Sequence, residues 1–193
     1  NEKWKGRICI RSSNNIYNQS LLASLIAHNG ENAAENWAKK VVNNFSREPK
    51  GNDRSQMTAV VLNQCDITLA NTYYLGKWIA SDKDLERQYS DKIAVFFPNQ
   101  KSRGAHINIS GAAVIKTSKN TSGAIKFIEF LASDKAQKLY SQTNHEYPIR
   151  DDIQISKIVK SWGYPFKKDR LSLNKLGIYN KKAVMIFDKV GWN

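Results

Sequence analysis

The run Asp66-Ile-Thr-Leu-Ala-Asn-Thr-Tyr-Tyr-Leu-Gly76 passes from β-branched residues into a polar junction and then into helix-spaced apolar positions, a strand feeding a helix. Along a strand, consecutive side chains point to opposite faces. In the first turn of a helix they lie only ~100° apart, so the adjacent phenols of Tyr73 and Tyr74 can turn toward one point. Two convergent phenols at the carboxyl end of a strand are suited to a hard cation.

Working outward, Arg7-Ile-Cys-Ile-Arg11 reads as a second short strand, closed by Ser12-Ser-Asn-Asn15, all strong helix N-cap types. An apolar helix over 20–28 follows and ends at Asn29-Gly30. Ala34, Trp37, Val41 and Phe45 recur at helical spacing over 31–45. After a turn-rich loop, Asp53 is expected to cap a helix carrying Met57, Val60 and Val61. Downstream of the tyrosine pair, helices are predicted to about 80 and over 84–89, with strands over 93–97 and 106–115. A helix opens at Thr121 or Ser122, Ser133 caps another, 144–166 is irregular, and a last helix covers 181–190. Alternation of strands and helices predicts an α/β fold with a parallel or mixed sheet flanked by helices. Ligands of such sheets bind at the carboxyl ends of the strands, where Ser12 to Tyr17 and Asn71 to Tyr74 both lie.

The 193 residues carry 30 Lys and Arg against 17 Asp and Glu, a net charge of +13. The basic residues are scattered, without a run of five and without a recognisable nucleic-acid motif, so a Lys- and Asn-rich surface is expected and no nucleic-acid partner. No apolar run approaches the ~20 residues of a membrane span. Cys9 and Cys65 sit beside or within predicted strands. Both a disulfide between neighbouring strands and two buried free thiols remain open.

His28, His106 and His145 fall in unrelated places and form no nucleophile elbow, zinc motif or P-loop, so the chain reads as a non-enzyme. The tyrosines carry the chemistry. Phenolate is a hard anionic donor of the kind that Fe(III) favours, and a trivalent ion displaces the phenol proton at neutral pH. Tyr17, at the start of its own helix after Ser12-Ser-Asn-Asn15, is the natural third donor beside Tyr73 and Tyr74.

Three stretches resemble the periplasmic ferric-iron-binding proteins, the bacterial-transferrin type of substrate-binding component of Fe(III) ABC transporters. These are Trp4-Lys-Gly-Arg-Ile-Cys-Ile-Arg-Ser-Ser-Asn-Asn-Ile-Tyr-Asn-Gln-Ser20, the Asp66 to Gly76 run, and a return segment. The last comprises Phe97-Pro-Asn-Gln100, Arg103-Gly-Ala-His-Ile-Asn-Ile-Ser-Gly111, Ala136-Gln-Lys-Leu-Tyr140 and Glu146-Tyr-Pro148. The resemblance implies a class II periplasmic-binding-protein-like lobe that holds Fe(III) through Tyr17, Tyr73 and Tyr74. It implies a carbonate-type anion as co-ligand in some branches, and Ser12, Ser13, Asn14 and Arg103 are the candidates to contact it or to form an outer shell. An inner-membrane ABC permease as partner and a periplasmic location follow from the same likeness. It assigns 1–103 and 151–193 to a second lobe and 104–150 to a segment crossing back to a first lobe, which this chain lacks. Two alternatives from other classes stay open: a basic interaction module with a family-like fold, and a binder of an anion or small organic ligand.

Overall fold

A computed structural model describes residues 2–193, in which the strand-then-helix pattern produces a two-stranded parallel sheet. Strand β1 (Ile8–Cys9) pairs with β2 (Ile67–Thr68), Ile8 opposite Ile67 and Cys9 opposite Thr68. A further parallel bridge joins Ile8 to Phe45. Around this sheet lie α1 (Ile16–Asn29), α2 (Glu31–Val42), α3 (Asp53–Val61), α4 (Thr72–Ile79), α5 (Asp84–Ser90), α6 (Thr121–Leu131), α7 (Asp134–Leu139), α8 (Lys157–Ser161) and α9 (Asn174–Val190). The sheet is smaller than the sequence suggests, but the class is the expected one, a lobe of helices on a short sheet.

Helix α1 begins at Ile16, four residues before the predicted start, because Asn15 caps it by accepting the Tyr17 N–H at 2.9 Å. At its other end Gly30 takes φ +82°, donates to the Ile26 carbonyl and opens α2 at once. The tight corner lays α1 and α2 together, and α9 packs across both. Leu22, Ala23, Ile26, Ala34, Ala38, Ala183, Phe187 and Trp192 fill the centre of this three-helix core. Ala34 and Ala38 are fully buried and let the helices approach closely.

A second apolar cluster joins α3 to α4 through Met57, Val61, Leu75 and Trp78, with Tyr74 packed against it. Between the two clusters Cys9 and Cys65 form a disulfide, Cα atoms 5.8 Å apart, buried beside Ala59. Neighbouring parallel strands thus bring the cysteines within bonding range. The disulfide locks together the two strands whose carboxyl ends lead to the tyrosines.

Several predicted elements differ. The cap of α3 is Asn52, not Asp53: the Asn52 side chain accepts the Ser55 N–H and the Ser55 hydroxyl oxygen accepts the Asn52 N–H. Asp53 is instead buried in an ion pair with Arg11. Residues 93–97 and 106–115 form no strand. A strand needs a ladder partner for its N–H and C=O groups, and beside 106–115 only Ala105 is paired, with Lys168. Ile109 and Ile115 stay exposed there. Helix α6 is apolar along most of its length yet has no buried residue, and Ile125, Phe127 and Phe130 face solvent. Helix α9 starts earlier than predicted, at Asn174. Among the described residues no helix is long and apolar enough to cross a membrane.

Candidate metal centre

The carboxyl ends of β1 and β2 are adjacent because the strands run parallel, so the polar junctions that follow them open on the same side. From the first junction α1 presents Tyr17, and from the second α4 presents Tyr73 and Tyr74. The Tyr17 and Tyr73 hydroxyls are hydrogen-bonded at 3.1 Å. The rings of Tyr73 and Tyr74 lie 4.3 Å apart at 36°, consistent with neighbours in a first helical turn. All three are half-buried.

The electrostatics keep the Tyr73 phenol neutral in the absence of a cation. Burial comes first, and the adjoining Tyr17 and Tyr74 add to it, so its pKa is pushed well above the ordinary phenol range. An ion that binds here must displace protons, which a trivalent cation does and a weakly polarising one does not. The ammonium of Lys77 sits 5.7 Å from the Tyr73 ring centroid, one helical turn on. Among the described residues, no group of three or more His, Cys, Asp or Glu is arranged to hold a metal.

Of the four anion candidates, the Ser12 hydroxyl accepts the Asn14 N–H at 3.2 Å and its carbonyl accepts the Asn18 amide at 3.1 Å. Ser13 is buried and its carbonyl accepts from Gln19. These residues shape the turn into α1. Arg103 stands near His106, whose pKa is lowered by burial first, the like charge of Arg103 adding to that lowering. His106 bonds the Ser20 hydroxyl at 3.1 Å, and Asn108 links Ser20 to the Asn71 side chain. The 106–108 segment therefore bridges α1 to the start of α4, beside the tyrosines.

Sequence reasoning missed the Arg11–Asp53 pair. Its guanidinium lies 5.7 Å from the Tyr17 ring centroid. Burial lowers the Arg11 pKa, but Asp53 and then Tyr74 overcome it and raise the net value. The signal available was its position, a cation directly past the end of β1 facing the same junction as Asn71.

Residues 1–163 match the family model described as bacterial extracellular solute-binding protein. Iron uptake protein A1 of Synechocystis is 49% identical over 190 residues, 98% of this chain and 52% of the relative. A solved Trichodesmium protein in complex with iron and citrate superposes with a TM-score of 0.96 at 48% identity, covering 100% of this chain and 61% of that one. The ferric binding protein from Campylobacter jejuni superposes with a TM-score of 0.95 at 40% identity, covering 100% and 61%. The chain thus spans about half the length of the curated relatives it matches, 52% and 55% for two from Synechocystis. The chain belongs to the bacterial extracellular solute-binding protein family, on the branch shared with these iron-uptake and ferric-binding relatives.

Proposed function

We propose that this chain is one lobe of a ferric-iron carrier, in which the phenolates of Tyr17, Tyr73 and Tyr74 hold Fe(III) as transported substrate. The observation that carries it is the meeting of Tyr17 and Tyr73 at 3.1 Å from elements far apart in sequence, with Tyr74 alongside. Three phenolates offset the charge of a trivalent ion, and their hardness matches it. Remaining coordination positions fall to an oxygen-donor anion of carbonate or citrate type and to a partner lobe.

The carrier serves an inner-membrane ABC permease in the periplasm, and the chain performs no catalysis. The buried Cys9–Cys65 disulfide accords with such an oxidising compartment. We read 1–103 and 151–193 as the second lobe and 104–150 as the segment that completes a first lobe. The uncovered apolar residues of α6 and the half-length match to the Synechocystis relatives support a covering lobe from the same precursor.

Phenolate-to-iron charge transfer is coloured. Adding Fe(III)-citrate to the iron-free chain at neutral pH should produce a visible absorption band, and Tyr73→Phe with Tyr74→Phe should abolish it. No band from the parent chain, or a band that persists in the double variant, would overturn the assignment.

A further inference from the structure

Resting on that ferric reading, we propose that Arg11 is a positioning residue for the tyrosine centre, holding Tyr17 and Tyr74 in register through its pair with Asp53. The residue is fixed at both ends. Its backbone carbonyl accepts the Asn18 amide at 3.0 Å and the Trp192 indole N–H at 3.1 Å, tying it to α1 and to the chain's last turn. Its side chain pairs with Asp53, which is only 2% exposed and belongs to the first turn of α3. The other Asp53 oxygen accepts the Asn71 N–H at 3.3 Å.

Asn71 is the residue from which α4 starts, and its own side chain makes no cap bond to that helix. Asp53 therefore takes one of the donors left over at the junction that delivers Tyr73 and Tyr74. The guanidinium lies over the Tyr17 ring, 5.7 Å from its centroid, and within electrostatic reach of Tyr74. One part-buried pair thus links the Tyr17 helix to the start of the tyrosine-pair helix, where the Tyr74 N–H donates to the Asn71 carbonyl at 3.4 Å.

An unpaired guanidinium this close would repel a trivalent cation. Asp53 cancels that charge, so the pair contributes geometry and donors without net repulsion. The planar fork of Arg can face a carboxylate and a phenol oxygen together, and a Lys ammonium cannot match that geometry.

The test uses Arg11→Gln and Arg11→Lys, with Fe(III)-citrate as probe and Arg54→Gln as a surface control. Arg11→Gln should weaken Fe(III) binding roughly 10- to 100-fold, the range for residues that orient metal ligands, and shift the charge-transfer band. Arg11→Lys should move both in the same direction by less. In iron-free protein labelled at the tyrosine ring carbons, the Tyr17 and Tyr74 signals should shift in both variants and stay put in the control. These signals decide the question even if the parent chain binds no Fe(III), in which case the ferric reading fails by itself. Unmoved tyrosine signals with unchanged affinity, or a lowered melting temperature alone, would overturn the proposal. If Arg11→Gln does not fold, the Arg11→Lys signals decide.

Discussion

The hydroxyls of Tyr17 and Tyr73 lie 3.1 Å apart across 56 positions of sequence. Nothing local brings them together. The parallel pairing of β1 with β2 sets the two junctions side by side, and the Cys9–Cys65 disulfide fastens those strands just behind the phenols. Tyr17→Phe removes one hydrogen bond between half-buried groups, so stability should change by no more than about 1 kcal/mol. On the proposed ferric site, iron loading followed at the charge-transfer band should nevertheless fall sharply, because one of the three proposed donors has gone. A stable variant that loads normally would remove Tyr17 from the centre.

The disulfide closes a loop with a sequence separation of 56. Cross-linking a loop of that length restricts the unfolded chain by about 4 kcal/mol. Replacing both cysteines by Ala should lower the denaturation free energy by that order, measured by urea titration. Iron-free tyrosine spectra should broaden as well, since the strands behind the site are released. A double variant as stable as the parent would show that native packing alone holds β1 to β2.

Gly76 is required by a close approach. A Cβ there would stand 2.5 Å from Cβ of His145, which is buried at 4% exposure. Gly76→Ala should therefore cost about 1–3 kcal/mol through overpacking, despite better helix propensity. Adding His145→Gly, which removes the clashing Cβ at a position with φ +60°, should recover part of that loss in a double-mutant cycle. Simple additivity of the two changes would place the strain elsewhere.

Acid should weaken the lobe through its buried imidazoles. Burial is the first cause holding His106 and His145 below the ordinary 6.5. Each is then protonated more readily in the unfolded chain, so stability is full above about pH 6.5 and falls as pH drops below it. Thermal midpoints at pH 7.5 and 5.5 should differ accordingly, and His106→Gln should flatten the profile. A midpoint independent of pH over that range would contradict these shifts.

The exposed Ile125, Phe127 and Phe130 of α6 predict that the isolated chain self-associates. Light scattering should report particles larger than a monomer, and Phe127→Glu with Phe130→Glu should shift them toward monomer. A monomeric parent chain would argue that this helix face needs no cover.

The local signals in the sequence were legible where neighbours in sequence decide the outcome. Helix spacing from 31, the Asn29-Gly30 stop and the Ser133 cap all follow from residues within one turn. So does the strand-to-helix passage at Asn71. The helix from 31 stops at Val42, however, and leaves Phe45 to the bridge with Ile8. Residues 93–97 and 106–115 have strand composition, but pairing is non-local, and within the described residues the ladder partner is missing. Asp53 shows the same limit at one side chain. It has the composition of a cap, yet Asn52 holds that place and Asp53 turns inward to Arg11, a partner 42 positions away. The meeting of the three tyrosines was legible because each sits at a strand-to-helix junction. Arg11, Asp53 and the 106–108 bridge were not, because each acts through contacts that no sequence window contains.

Trp192 carries a consequence for the order of folding. Its ring is fully buried among Phe45, Trp37 and Phe187, and its indole holds the carbonyl of Arg11 at the rim of the tyrosine centre. A contact spanning 181 positions thus ties the junction after β1 to the residue that follows α9. Closing so long a loop costs chain entropy that local helices do not incur, so the rim of the tyrosine centre should order late in refolding, after α1 and α2.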